Sequence, residues 1–484
     1  ANGRNKGVAP ESDIIVVKSP LSGANFSITV AEAVDFVFSV ADSMGMPAVV
    51  NLSLGSYLGS KDALDPAGLY IDSLLNEKPG RIVVCAAGNS GNWGKYHVEG
   101  YDIEDVDTSF VWMIPNPAFA YGQPGVYIDL WADTSEITNM FFAFGADAPG
   151  PILRGGTAFY QCGEQYDVDI IDTIWGGTNF IGQLIFNERV IGPNYNLRAL
   201  VFTDSLSYKI RFMTKGDVKY DAWSHVNMGL SNFETSIPDP TTNPEFEGYF
   251  MTDSLQTIVS SWACSERVIT VANMQNRQNY IDSEGNLYPT DGGLIPSGQL
   301  SANSSKGPNR RDLLKPDITA AGDMTLSARV MNEAYAPSQL GEGGLHVRNG
   351  GTSMASPVVA GIAALYLEKC PNSTWEDFKN DLYGGAYSDS FISGELPNYA
   401  FGMGKTNALE TLLGSNYEST VLGDMLLCSQ EGVLTVTPEP STILWNEGQT
   451  DYPLTVFETN LYHATVLNEK GCKSYTDTLQ VVAG

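Results

Sequence analysis

The sequence predicts an α/β fold: a parallel-sheet domain interrupted by an all-β sandwich insert, with a second, smaller β-sandwich at the C-terminus. Three observations point there. Residues 1–94 alternate strand and helix patterns, and that organisation resumes across 258–418; such alternation builds parallel sheets. Residues 95–257 switch to period-two alternation with frequent Gly and Pro, as sandwiches do. Residues 419–484 hold only short strand patterns.

The elements follow in order. Asp13-Ile14-Ile15-Val16-Val17 reads as a buried strand. A helix follows, with Thr29 and Glu32 as its capping box and Val30, Ala33, Val34, Val37, Phe38, Ala41 and Met44 as one apolar stripe. Gly45 and Pro47 stop it. Ala48 to Leu52 is the next strand, and Asp65-Pro66 opens the next helix as N-cap and first helical residue. Arg81 to Ala86 reads as a short buried strand, ending in a Gly88-Asn89 turn. In the insert, Gly125 to Trp131 and Tyr208 to Phe212 are strand-like runs. The α/β pattern returns at Val268 to Asn273. In the last segment Leu434 to Val436, Ile443 to Trp445 and Tyr462 to Val466 read as strands.

With 484 residues the chain has room for two to four domains, and 43% hydrophobic content excludes wholesale disorder. Its 27 Lys and Arg stand against 56 Asp and Glu, a formal charge of −29. Such a surface repels nucleic acid and anionic membranes, so no nucleic-acid partner is expected. No membrane span is expected either: the longest apolar run, Met354 to Leu367, is too short and contains Pro357 and Gly361. Acidity aids solubility and leaves few basic cleavage sites, which suits a secreted enzyme, or it reflects the source's composition. The six cysteines show no metal-ligand spacing, and Cys85 reads as a small core residue.

Two motifs carry chemistry. Asn349-Gly350-Gly351-Thr352-Ser353-Met354-Ala355-Ser356-Pro357 places a serine among small residues at the mouth of a helix. Small neighbours admit a substrate backbone, and a helix N-terminus favours developing negative charge. Val83 to Gly91 ends a strand in Ala86-Ala87-Gly88-Asn89. Both stretches closely resemble motifs of the subtilisin-like serine proteases. The resemblance implies that Ser353 is the nucleophile and that the Asn89 amide and the Ser353 N–H stabilise the oxyanion. It also implies that Ser53, Leu54 and Gly55, with Ala86, Ala87 and Gly88, line the substrate cleft beside Thr352. Further landmarks are Ser304 to Pro308, Lys315 to Gly322 and Gly402 to Ala408; many relatives have Ala-Pro-Gly where this chain has Ala320-Ala321-Gly322.

The same family uses a histidine base and an orienting aspartate, and neither motif occurs here. Residues 1–12 resemble the segment after the family's histidine helix, so the resemblance places both partners on an N-terminal piece that the chain lacks. His97, His225, His346 and His463 lie outside the base's position in the family pattern. The chain is then the large fragment of a cleaved or truncated protease, a pseudoprotease that binds peptides as a scaffold, or an expression or sequencing fragment; the intact donor set favours the first.

The insert's position resembles the jelly-roll insertion of some bacterial relatives. It either gates, braces or binds, or stabilises passively. The C-terminal segment resembles the immunoglobulin-like modules of secreted bacterial proteins, whose cysteine pattern implies a Cys428–Cys472 disulfide here, stabilising by about 4 kcal/mol. Such a module anchors, spaces or binds surfaces. The expectation is a secreted endopeptidase, extracellular or at a bacterial surface or periplasm, acting on peptides or proteins. No cofactor is needed for its chemistry; many relatives carry structural calcium, for which no site can be assigned.

Overall fold

The computed structural model describes residues 6–20, 25–93, 96–117, 122–148, 152–224, 231–289, 295–416, 418–423, 425–427 and 431–483. At its centre is a four-stranded parallel sheet. Strand β1 (Ala48–Leu52) pairs with β2 (Arg81–Ala86), β2 with β3 (Ile269–Gln275), and β3 with β4 (Ile318–Asp323). Every residue of β2 is buried, which is why Arg81 to Ala86 carries an apolar run rather than alternation.

Helices cover both faces. On one side α1 (Phe26–Ser43) and α2 (Pro66–Glu77) pack Val34, Phe38, Ile71 and Leu75 against Val83 and Cys85. On the other, α3 (Thr352–Lys369) and α4 (Trp375–Gly384) pack Val359, Ile362, Ala363 and Phe378 against Ile82, Val84, Ile269 and Ile318. Asp65 caps α2 by accepting from the Gly68 N–H at 2.8 Å, and Pro66 follows at the first helical position. The start of α1 differs from the expected capping box. Asn25 precedes the helix, and Thr29 lies inside it, its hydroxyl bonded back to the Asn25 carbonyl at 3.1 Å.

Residues 13–17 also depart from expectation. They form no strand, and Ile14 and Val16 are more than four-fifths exposed. β-propensity expresses packing against neighbouring strands, and no described strand lies beside them. Strand β1 is therefore an edge strand, paired on its β2 side alone among the described residues.

Residues 97–233 contribute a separate twelve-stranded sheet, largely antiparallel, folded around a core that includes Trp112, Phe142, Phe144, Leu197 and Phe212. Gly125–Asp133 and Lys209–Lys215 are two of its strands. Residues 420–483 form three small three-stranded sheets around Leu434, Trp445, Ala464 and Val466.

The disulfide is not the one anticipated. Cys472 is bonded to Cys370, and Cys428 lies outside the described residues. Cys370 caps the C-terminus of α3, and the turn at Asn468–Cys472 meets it through the Asn372 N–H donating to the Lys470 carbonyl at 3.0 Å. The bridge therefore fastens the C-terminal segment to the α/β domain rather than closing the small module on itself. Its span of 102 residues gives it a chain-entropy value of about 4.7 kcal/mol. Cys85, Cys162 and Cys264 are free and buried, and burial pushes each thiol up to about 12. None is a nucleophile at neutral pH.

Candidate active site

The site lies where β1 and β2 end and α3 begins, beyond the C-terminal edge of the sheet, the usual ligand position in open α/β folds. Gly351 precedes α3 with φ +118°, a conformation that favours glycine. A Cβ there would also stand 3.0 Å from Asn89 Nδ2. The loop after β2 thus lies directly against the mouth of α3.

Asn89 and Thr352 join the two. The Thr352 N–H donates to Asn89 Oδ1 at 3.0 Å and its hydroxyl to the same oxygen at 3.1 Å. The Gly88 N–H in turn donates to Thr352 Oγ1 at 3.0 Å. These bonds use the carbonyl end of the Asn89 amide and fix its orientation, so its Nδ2 donors are not consumed by them. Thr352 itself is fully buried and ties the loop to the helix.

Ser353 is the second residue of α3 and is partly accessible. Its N–H is one of the first-turn donors that no intrahelical carbonyl can reach. Its own carbonyl accepts from Ser53 Oγ at 2.6 Å. Ser53 Oγ is also 3.0 Å from Ser356 Oγ, and Asn51 completes a small ring, donating to Ser53 at 2.9 Å and accepting from Ser356 at 2.8 Å. Asn51 and Ser356 were not singled out from the sequence. The available signal was an asparagine interrupting the apolar Ala48-Val49-Val50-Asn51-Leu52 run.

The two expected cleft walls differ. Ala86 and Ala87 are buried, and Ala87 is held by protein on both sides: its N–H donates to Val271 O at 3.0 Å and its carbonyl accepts from Val259 at 2.9 Å. Gly88 O accepts from Ser305 N at 2.9 Å. Leu54 is half-buried and Gly55 exposed. Ser305 Oγ supports the turn further by accepting from the Ser90 N–H at 3.1 Å.

Beneath the site, the base of the sheet is anchored by a buried charge cluster. Lys315 and Asp317, both fully buried, pair at 2.6 Å. Lys315 also donates to Val268 O, while Asp317 accepts from Tyr383 and pairs with Lys379. Burial opposes both charges. It holds Lys315 below the usual lysine range, whereas for Asp317 the two lysines outweigh it and keep the carboxyl below its ordinary value.

The described histidines lie elsewhere. His97 bridges Asp221 and Asp253 at 3.1 and 3.0 Å where the twelve-stranded sheet meets the α/β domain. His346 is buried on Val347's strand, and His463 lies in the C-terminal segment. His225 lies outside the described residues. Among the described residues no histidine or carboxylate is hydrogen-bonded to Ser353 Oγ. Nor does any group of three His, Cys, Asp or Glu side chains converge as a metal site among them, so no calcium position is assigned. No described helix is long and apolar enough to cross a membrane.

Known proteins align with this arrangement. Serine protease AprX of Bacillus subtilis is 34% identical over 161 residues, 33% of this chain and 32% of its own length. The PIII-type proteinase of Lactococcus lactis is 23% identical over 471 residues, 91% of this chain but 21% of its own. The chain thus spans about a third or less of these two relatives. The CspB protease of Clostridium perfringens shares the fold with a TM-score of 0.53 at 20% identity, covering 82% of this chain and 75% of that one. The subtilase family matches residues 1–121 and 241–404, and the gap between them holds most strands of the twelve-stranded sheet. The chain belongs to the subtilase family.

Proposed function

We propose that this protein is a secreted serine endopeptidase in which Ser353 Oγ attacks the carbonyl carbon of a peptide bond. The tetrahedral oxyanion is held by the Ser353 N–H and Asn89 Nδ2. The attacking hydroxyl's proton passes to a histidine oriented by an aspartate, both upstream of residue 1. The observation that supports the reading is the Asn89–Thr352 junction: the N–H and hydroxyl of Thr352, the residue before Ser353, bond the Asn89 carbonyl oxygen and leave its Nδ2 unused by those bonds. The upstream base is supported by the unpartnered side of β1 and by the exposed Ile14 and Val16 ahead of α1, an arrangement that one further strand would complete. In the same reading the insert is a jelly-roll-like domain and residues 419–484 an immunoglobulin-like module. The substrates are peptides or proteins.

A second reading, a peptide-binding pseudoprotease, is favoured by the absence of a bonded base at Ser353 among the described residues. Fluorophosphonate labelling of the protein produced with its upstream coding region separates the two. The enzyme reading predicts a label on Ser353 that Ser353→Ala abolishes. Peptide binding without any label would establish the pseudoprotease instead.

A further inference from the structure

We propose that Val259 closes the pocket for the side chain preceding the scissile bond, restricting the substrate at that position to glycine, alanine or serine. The inference rests on the peptide-hydrolase reading above and adds the substrate class.

The position of the pocket follows from the proposed attack by Ser353 and from how the two strand extensions leave the sheet. β1 and β2 are parallel neighbours, so their extensions Ser53–Gly55 and Ala86–Gly88 leave the sheet side by side. The mouth of α3 is tied to both, to the first through Ser53 and Ser353 and to the second through Gly88 and Thr352. A carbonyl attacked by Ser353, with its oxygen towards Asn89, has its α-substituent over the gap between these extensions. Both flanks of that gap carry a glycine.

Val259 fills it. A Cβ built on Gly55 would lie 2.5 Å from Val259 Cγ2, and one built on Gly88 would lie 2.5 Å from Val259 Cγ1. One methyl group therefore rests against each wall, and the isopropyl group spans from glycine to glycine. The backbone beneath cannot slide away. The Val259 N–H donates to Ala87 O at 2.9 Å and the Ser260 N–H to Ser56 O at 2.7 Å, stitching this segment to both walls. Ser260 Oγ would stand 2.9 Å from the Gly55 Cβ, and Ser305 Oγ 2.9 Å from the Gly88 Cβ, so the floor on either side is occupied as well. Val259 is 7% exposed, and a β-branched side chain has few rotamers through which to yield. A substrate side chain much larger than a methyl group must displace packed atoms, which close-packed interiors resist.

The test is titration calorimetry of acetylated tripeptide acids ending in alanine, leucine or phenylalanine against the chain and against Val259→Ala and Val259→Gly, with thermal melts to confirm folding. We expect the wild-type chain to prefer the alanine peptide by about tenfold or more, the scale set by one misfitting group in a pocket. Val259→Ala should admit leucine, and Val259→Gly phenylalanine. Equal wild-type affinity for the alanine and phenylalanine peptides overturns the inference even if both variants fail to fold. So does unchanged selectivity in folded variants. In either case the hydrolase reading stands. No binding of any peptide to any folded form removes the cleft, and both proposals fail together.

Discussion

The two edges of the parallel sheet contrast sharply. On the β4 side, charge and shape are matched: Asp317 is held by Lys315, Lys379 and Tyr383, and α3 and α4 cover the apolar face. On the β1 side the strand has no outer neighbour among the described residues, and Ile14 and Val16 stand in solvent. Ser353 lies between them: α3 packs on the supported side, while Ser53 and Asn51, at the end of β1, bond the Ser353 carbonyl and the Ser356 hydroxyl. The lesson is that the Asn89–Thr352–Ser353 junction is assembled among the described residues even where β1 has no outer neighbour.

The strongest way to break that contrast is to damage its supported side. Asp317→Asn strips two buried lysines of their counter-charge, and removing one partner of a buried pair costs about 3–5 kcal/mol. A urea titration should show an unfolding free energy lower by that amount, read as a midpoint moved to lower urea. An unchanged midpoint would mean that the cluster is not what stabilises this edge.

A smaller effect sharpens the role of the insert seam. Two carboxylates outweigh the desolvation of buried His97 and raise it to about 9 from an ordinary 6.5. A folded-state pKa above the unfolded one stabilises the fold fully below about pH 6.5, and the contribution disappears as pH rises through 9. Its ceiling is roughly 3 kcal/mol at 1.36 kcal/mol per unit. The stability difference between wild type and His97→Asn should therefore be largest near pH 6 and shrink by pH 10. A difference that stays constant across this range would contradict the doubly paired imidazolium.

Much of this was legible in the sequence, for identifiable reasons. Asp65-Pro66 announces α2 because capping is local. Ser353 and Asn89 stand out in the sequence because each sits in a short motif, and the structure brings the two motifs together through Thr352. What failed depended on distant parts of the chain. The apolar Ile14-Ile15-Val16-Val17 run has strand character, yet a strand exists only with a partner. Cysteine spacing could not reveal that Cys472 meets Cys370 at the end of α3. Val259 carried no signal at all, since only the folded chain brings it between Gly55 and Gly88.

In the proposed mechanism Asn89 holds the oxyanion formed at Ser353. Its most direct test is kinetic, on the protein produced with its upstream region, comparing Asn89→Ala with wild type on one peptide substrate. In subtilisin, a member of the same family, loss of this kind of donor lowers kcat by about 10²–10³. Asn89→Ala should lower kcat by that factor with KM little changed. A variant that keeps the wild-type kcat, or loses only KM, would contradict it.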